Sequence, residues 1–204
     1  MSEPIGRAAD RSGTQVDWAA GVWTTPPVAA VEDGAALRVT AAEGSDAWRH
    51  TAYGFVHDTE HALLAPFAVG EAMEVVFVAD FAREFDQAGI FVRAGTERWM
   101  KSGVEFADGV LGVGAVVTDG MSDWSVGAVP EWAGRTLRVR VSRLADALVV
   151  RAGVDGEPLR LVRVASFPGE LDAAAGPFVC APTHAGLEVV FTHWSRTPAD
   201  TALH

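Results

Sequence analysis

The sequence predicts an all-β domain built as a sandwich or barrel, and three observations carry that reading. Apolar residues alternate with polar or small ones over several successive short runs, the mark of half-buried antiparallel strands. Turn signals of the Asp-Gly type separate these runs at 33–34, 108–109, 119–120 and 155–156. No stretch shows the apolar spacing of an amphipathic helix. A chain of 204 residues suits one such domain undivided.

The elements follow in order. Residues 1–13 are polar or small and are expected to be poorly ordered. Trp18 and Trp23 precede Thr24-Thr25-Pro26-Pro27, where the prolines break any strand. Residues 28–31 and 36–41 read as a hairpin around Asp33-Gly34. Residues 44–50 read as a loop carrying Asp46 and Trp48, and 53–56 and 63–69 as short strands. Between them lie His57 and His61. On a helix these would share a face and could hold a metal, but the flanks are not helical and no third ligand is evident, so a solvent loop is expected. Residues 73–81 form a long apolar run, expected to be buried on both faces.

Three alternating runs come next, at 87–93, 99–106 and 111–118. Ala88, Ile90, Val92, Met100, Val104, Leu111, Val113, Ala115 and Val117 make one face, which must meet the core. The opposite face holds Gln87, Arg93, Trp99, Lys101 and Glu105 among Gly89, Gly103, Gly112 and Gly114. Asp108-Gly109 registers the second hairpin, pairing Glu105 with Gly112, Gly103 with Gly114 and Lys101 with Val116. The first connection must place Ile90 and Val92 on one face with Met100 and Val104, so it must be odd in length. A two-residue turn would put Lys101 on the core face, where an unpaired charge is very costly. Arg93 should therefore lie opposite Trp99, Phe91 opposite Lys101, Gly89 opposite Gly103 and Gln87 opposite Glu105. Arg93 over the Trp99 indole would be a cation–π contact.

The remaining strands are expected at 125–129, at 136–143 and 147–154 as a hairpin around Ala145-Asp146, at 159–165, and at 178–181 and 187–194. Arg135, Arg138, Arg140, Arg143, Arg151, Arg160 and Arg163 crowd this region. The alternation of Arg138 and Arg140 with Leu137, Val139 and Val141 reads as a solvated strand face that blocks edge pairing. The body of the domain spans 14–196, and 197–204 is an expected loose tail.

The run Asp86-Gln87-Ala88-Gly89, Arg93, Trp99-Met100-Lys101-Ser102-Gly103-Val104-Glu105, followed by Ser122-Asp123-Trp124-Ser125, resembles a family of uncharacterised domains of the regulation-of-enolase type. Asp46-Ala47-Trp48, Thr51-Ala52-Tyr53-Gly54, Gly176-Pro177-Phe178 and Ala181-Pro182 match its other segments. The resemblance covers roughly residues 15 to 195. It implies a curved two-sheet antiparallel jelly-roll sandwich of the concanavalin A-like lectin/glucanase superfamily, but no settled activity.

Composition excludes several functions. The formal net charge of −11 opposes phosphate-backbone binding, so no nucleic acid is expected. One cysteine, Cys180, leaves no internal disulfide. The N-terminus lacks the apolar core of a secretory signal and no run approaches a membrane span, so a cytoplasmic chain without membrane contact is expected. No phosphate loop, dinucleotide fingerprint or nucleophile elbow is present, and no cofactor or metal is expected.

The expected site is the outward face of the three central strands, with Gln87, Arg93, Trp99, Lys101, Glu105 and the loop residue Trp48 binding a carbohydrate or small polyol. A tryptophan beside polar groups offers a sugar both an apolar face and hydrogen-bond partners. The glycines then make a floor for the ligand; alternatively they permit sheet curvature and Trp99 lies under a loop. A glycoside-active enzyme would pair Glu105 with Asp86 or Asp123, since such chemistry needs two carboxylates about 5–10 Å apart. A regulatory protein-interaction domain is the third reading.

Overall fold

The structure, a computed structural model, describes residues 13–203. The expectation for 1–12 lies outside the described residues. Among the described residues seventeen strands form two stacked antiparallel sheets and one small hairpin. In chain order the strands are β1 (Thr14–Gln15), β2 (Val22–Trp23), β3 (Ala29–Asp33), β4 (Ala36–Thr40), β5 (Ala47–Arg49), β6 (Val56–Asp58), β7 (His61–Pro66), β8 (Glu71–Val78) and β9 (Gln87–Arg93). Then follow β10 (Arg98–Ala107), β11 (Val110–Asp119), β12 (Met121–Ala128), β13 (Thr136–Arg143), β14 (Ala147–Val154), β15 (Arg160–Ser166), β16 (Ala174–Cys180) and β17 (Glu188–Pro198). The only helical pieces among the described residues are single 3₁₀ turns at Trp18–Ala20 and Pro130–Trp132.

The first sheet runs β15-β14-β13-β8-β17-β4-β3, with β1 added on β17. The second, the site sheet, runs β12-β11-β10-β9-β16-β7-β2. The two pack face to face over a core that includes Met73, Val75, Phe77, Ile90, Met100, Leu137, Val139, Phe191 and Trp194. This is the sandwich the alternation predicts, in an arrangement consistent with a jelly roll. The apolar run at 73–81 becomes β8, in the interior of its sheet, with Val75 and Phe77 in the core.

The register of the central strands matches the sequence expectation residue for residue. Trp99 opposes Arg93, Lys101 opposes Phe91, Gly103 opposes Gly89 and Glu105 opposes Gln87. Across the second hairpin Lys101 opposes Val116, Gly103 opposes Gly114 and Glu105 opposes Gly112.

Four expectations need correction. Residues 44–50 are not all loop: Ala47–Arg49 pairs with Val56–Asp58 as a separate hairpin that lies against the outward face of the site sheet. Glu60 and His61 are not in a solvent loop but buried at the start of β7. The His61 ring spans Thr25 O and the Ala42 amide, each at 3.0 Å, and burial lowers its pKa against the opposing Thr25 bond. Arg138 and Arg140 lie on β13, which is flanked on both sides, so they guard no edge; they are mostly buried around Glu74, and Arg140 also holds Asp200. The tail is correspondingly tied down: β17 extends to Pro198, and Asp200 accepts from both Arg140 and Arg151, which hold its carboxyl below the usual range despite burial. Among the described residues no helix is long and apolar enough to cross a membrane.

Candidate functional site

The outward face of the site sheet is not open. The β5–β6 hairpin covers part of it, and a second apolar cluster forms underneath from Trp48, Leu64, Phe91, Trp99, Val116, Phe178 and Cys180. The hairpin is fastened at both ends. The Arg49 amide donates to Ser122 Oγ at 2.9 Å, and its guanidinium bridges Asp58 and Glu97, each at 2.7 Å. The Ser45 hydroxyl accepts from the Ala181 amide at 2.9 Å, joining the hairpin's base to the end of β16.

Trp99 is therefore not the outward platform expected from its phase. It is 1% exposed, stacked on Phe91 at 5.3 Å between centroids. Arg93 does not lie over it either. Its guanidinium sits over the Phe91 ring at 5.7 Å and reaches Glu60 at 3.2 Å. Glu60 is buried, and desolvation raises its pKa against the pull of Arg93. The alternation assigned both side chains to the correct face, but a covering hairpin thirty residues or more upstream in the sequence is invisible to a period-2 pattern.

The glycines also resolve. A Cβ on Gly89 would meet Ser102 O at 2.1 Å, one on Gly103 would meet Ala88 O at 2.1 Å, and one on Gly114 would meet Ser125 O at 2.0 Å. The neighbouring strand's backbone fills the space a side chain would need. These glycines serve close strand approach, which leaves no room for a side chain at their positions.

What remains open is a cleft of about 330 Å³ between the hairpin and β9–β12. Gln87, Lys101, Glu105 and Trp48 of the expected set line it; Arg93 and Trp99 do not. Its other walls are residues outside the expected binding set: Asp46, Tyr53, Phe55, His57, Phe85 and Trp124 among them. Trp48 meets Trp124 edge to face at 6.3 Å and Tyr53 at 5.7 Å; Tyr53 stacks on Phe55 at 5.3 Å. Trp48 is fixed by its indole N–H, which donates to Thr51 O at 2.9 Å. Backbone strain presents two of these rings. The tip joining β5 to β6 carries His50 and Ala52 at φ 61° and 62°, left-handed conformations that side chains resist, and so displays Tyr53 and Phe55. Phe85 stands at φ 65° because Asp86 Oδ2 accepts from the Ala82 and Arg83 amides and closes a tight turn behind it.

The floor is polar. Lys101, the sole lysine, is buried, and its ammonium donates to Asp46 Oδ1 at 2.6 Å and Gln87 Oε1 at 2.8 Å. Burial opposes the charge, but Asp46 and more distant acids outweigh it and the pKa stays raised. Glu105 sits four residues on, on the same face of β10. Burial pushes its carboxyl up to about 7; Lys101 pulls it down, while Asp46 and Glu84 push it further up. Among the described residues it accepts no hydrogen bond and forms no ion pair. Asp46 could have been found from one signal: a lone mid-strand lysine, once enclosed, requires a counter-charge.

Neither carboxylate expected to partner Glu105 is in the cleft. Asp123 opposes Val117, so its side chain leaves the other face of the sheet, where it meets Arg163 at 3.1 Å. Asp86 is engaged by the turn it closes and by His184 at 3.3 Å. Cys180 is fully buried, and desolvation raises its thiol well above the ordinary range, so it is no nucleophile. A larger groove of about 1010 Å³ opens beside β7, lined by Trp23, Arg93 and Arg143. Its arginines are spent on Glu60 and on the carbonyls of Phe67, Gly169 and Leu171, and Glu170 and Asp172 also line it. Among the described residues no cluster of acids, histidines and cysteine could hold a metal.

A two-sheet sandwich with an aromatic cleft under a hairpin defines a class of fold and little more. The chain belongs to the family described as protein of unknown function DUF1349, whose model matches residues 23–199. It is 34% identical over 185 residues to Regulation of enolase protein 1 of Saccharomyces cerevisiae, covering 90% of this chain and 93% of that one. A crystal structure of a functionally unknown protein from the same yeast superposes with a TM-score of 0.84 at 31% identity, covering 90% and 98% of the two chains. A GH43 protein from Bacillus licheniformis shares the fold at a TM-score of 0.71 and 13% identity, over 91% of this chain but 38% of its own.

Proposed function

We propose that this chain is a non-catalytic binding domain that takes a small hydroxyl-rich ligand, a sugar or polyol, in the cleft between the β5–β6 hairpin and the site sheet. The observation that carries the reading is the convergence of aromatic walls on a polar floor: Trp48, Tyr53, Phe55 and Trp124 stand over Asp46, Gln87, Lys101 and Glu105. Pockets of this size bind small molecules by apolar enclosure, with a few fixed polar groups setting orientation. The floor is preorganised, since Asp46, Lys101 and Gln87 hold one another before any ligand arrives. The fold likeness to chains studied as glycoside hydrolases is consistent with this reading and does not by itself support it.

A second reading is glycoside hydrolysis, with Glu105 as general acid. A carboxyl held near neutral pH by burial is what such an acid needs, and the second carboxylate in the cleft is Asp46. Asp46 is ion-paired to Lys101, which favours the binding reading. The two separate in one experiment. A panel of neutral sugars and polyols is titrated into the isotope-labelled chain and its Glu105→Gln variant. Binding predicts amide shifts at Asp46–Trp48, Gln87, Lys101 and Trp124 in both, with no product formed. Turnover by the wild type that the variant lacks would favour the enzyme. Shifts confined to the Arg93 groove would contradict both.

A further inference from the structure

We propose that the ligand group seated deepest in this cleft is a cationic amine, free or alkylated, held against the Glu105 carboxylate inside the aromatic walls. The inference rests on reading the cleft as a ligand site and adds the charge of what enters it.

The first support is the arrangement of the rings. Tyr53 and Phe55 lie parallel, at 8°, but the other rings meet at steep angles: Trp48 and Trp124 at 86°, Trp48 and Tyr53 at 61°, Phe55 and His57 at 75°. Rings set across one another make the walls of a box. Aromatic rings set around a cavity in this way are the kind of box that recognises ammonium groups.

The second support is the charge left over on the floor. The Lys101 ammonium is matched by Asp46 and by the Gln87 carbonyl. Glu105 is matched by nothing: no described residue donates a hydrogen bond to it or pairs with it. A half-buried carboxylate without a partner is unfavourable, and it is the one charged group lining the cleft that lacks a direct partner. The groups around it are Lys101 on its own strand, Asp46 on the hairpin's approach, Glu84 before β9, and the rim imidazole of His57. Two of the four are acids that oppose its ionisation. An entering ammonium would supply the missing counter-charge and a hydrogen-bond donor where the ammonium keeps a proton. The net charge of −11 adds a long-range bias that draws cations and repels anions.

The test uses the full chain and a matched pair of probes: choline, and dimethylbutanol, its neutral carbon isostere. Both are titrated at about pH 8, where Glu105 is ionised, with calorimetry and the fluorescence of Trp48 and Trp124 as readouts. Choline should bind about tenfold or more tightly than the isostere. Glu105→Gln should cut that preference severalfold, leaving only the part the rings supply, whereas Trp124→Ala should weaken both probes. Lowering the pH to about 5.5 should weaken choline alone, as Glu105 takes up a proton. Equal affinity for the two probes, no binding of choline, or a preference undiminished in Glu105→Gln would overturn the inference. If neutral sugars or the isostere bind in a Trp124-dependent manner while choline does not, the cleft remains a binding site and only its cationic specificity falls.

Discussion

Replacing Glu105 with glutamine should stabilise the protein, and the gain should grow with pH. In the folded chain the carboxyl titrates at about 7 because burial and the acids Asp46 and Glu84 outweigh Lys101. In the unfolded chain it titrates near the ordinary 4.5. Between these values the folded state binds the proton more tightly, so the group favours folding fully below about pH 4.5 and loses that contribution as pH rises through about 7. A displacement from 4.5 to about 7, at about 1.36 kcal/mol per pH unit, corresponds to about 3 kcal/mol. The neutral amide of glutamine pays none of it. Urea unfolding of the wild type and Glu105→Gln at several pH values between about 4.5 and 8 gives the difference directly. The two stabilities should lie close together at the acid end. At the alkaline end the variant should be ahead by about 2–3 kcal/mol, a large share of the about 5–15 kcal/mol typical of a domain. A difference that does not change with pH would refute the reasoning, because Glu105 would then be solvated or already paired. A difference growing in the opposite direction would mean that Lys101 holds the carboxylate ionised.

Three further substitutions test how the site is built. Trp99→Ala should cost about 3–5 kcal/mol in denaturant unfolding, since the side chain is buried against Phe91 beneath the hairpin; a near-neutral result would mean that the hairpin does not cover it. Lys101→Met should cost about 2–3 kcal/mol, because it leaves the Asp46 carboxylate and the Gln87 carbonyl without their donor while Asp46 keeps some access to water; stability equal to wild type would sink the buried-pair assignment. Gly103→Ala should cost about 1–3 kcal/mol, because its Cβ would lie 2.1 Å from Ala88 O and the strands would have to part; thermal melts that coincide with the wild type would show that the close strand approach is not there.

Much of the scaffold was legible because a strand's periodicity is local. Met100 and Val104 fix the core face of β10, Asp108-Gly109 fixes one turn, and the cost of burying Lys101 unpaired fixes the other; from these the whole register of β9, β10 and β11 followed. The site was legible only in part. Gln87, Lys101 and Glu105 were reachable because they belong to the strands so registered. Trp99 and Arg93 were placed on the right face and given the wrong surroundings, since the hairpin from Ala47 to Asp58 covers Trp99 and Glu60 draws Arg93 away. That hairpin is short, contains His50 and Ala52 in left-handed conformations, and has no alternation to announce it. Asp123 failed for a simpler reason: it sits one residue from Trp124, and on a strand one residue is the other face. The glycines were ambiguous because a pattern of missing side chains does not say what occupies the space. The ends of β8 and β17 ran past their apolar cores because Glu71 and Pro198 are held by partners, not by hydrophobicity.

The most direct test of the cleft is a glycan and polyol array probed with the wild type and with Trp124→Ala. Trp124 is 43% exposed and lines the cleft, so its removal should leave the melting transition nearly unchanged. A ligand-binding cleft predicts a defined set of ligands retained by the wild type and lost by the variant. Retention of the same ligands by Trp124→Ala, or a wild type that retains none, would contradict it.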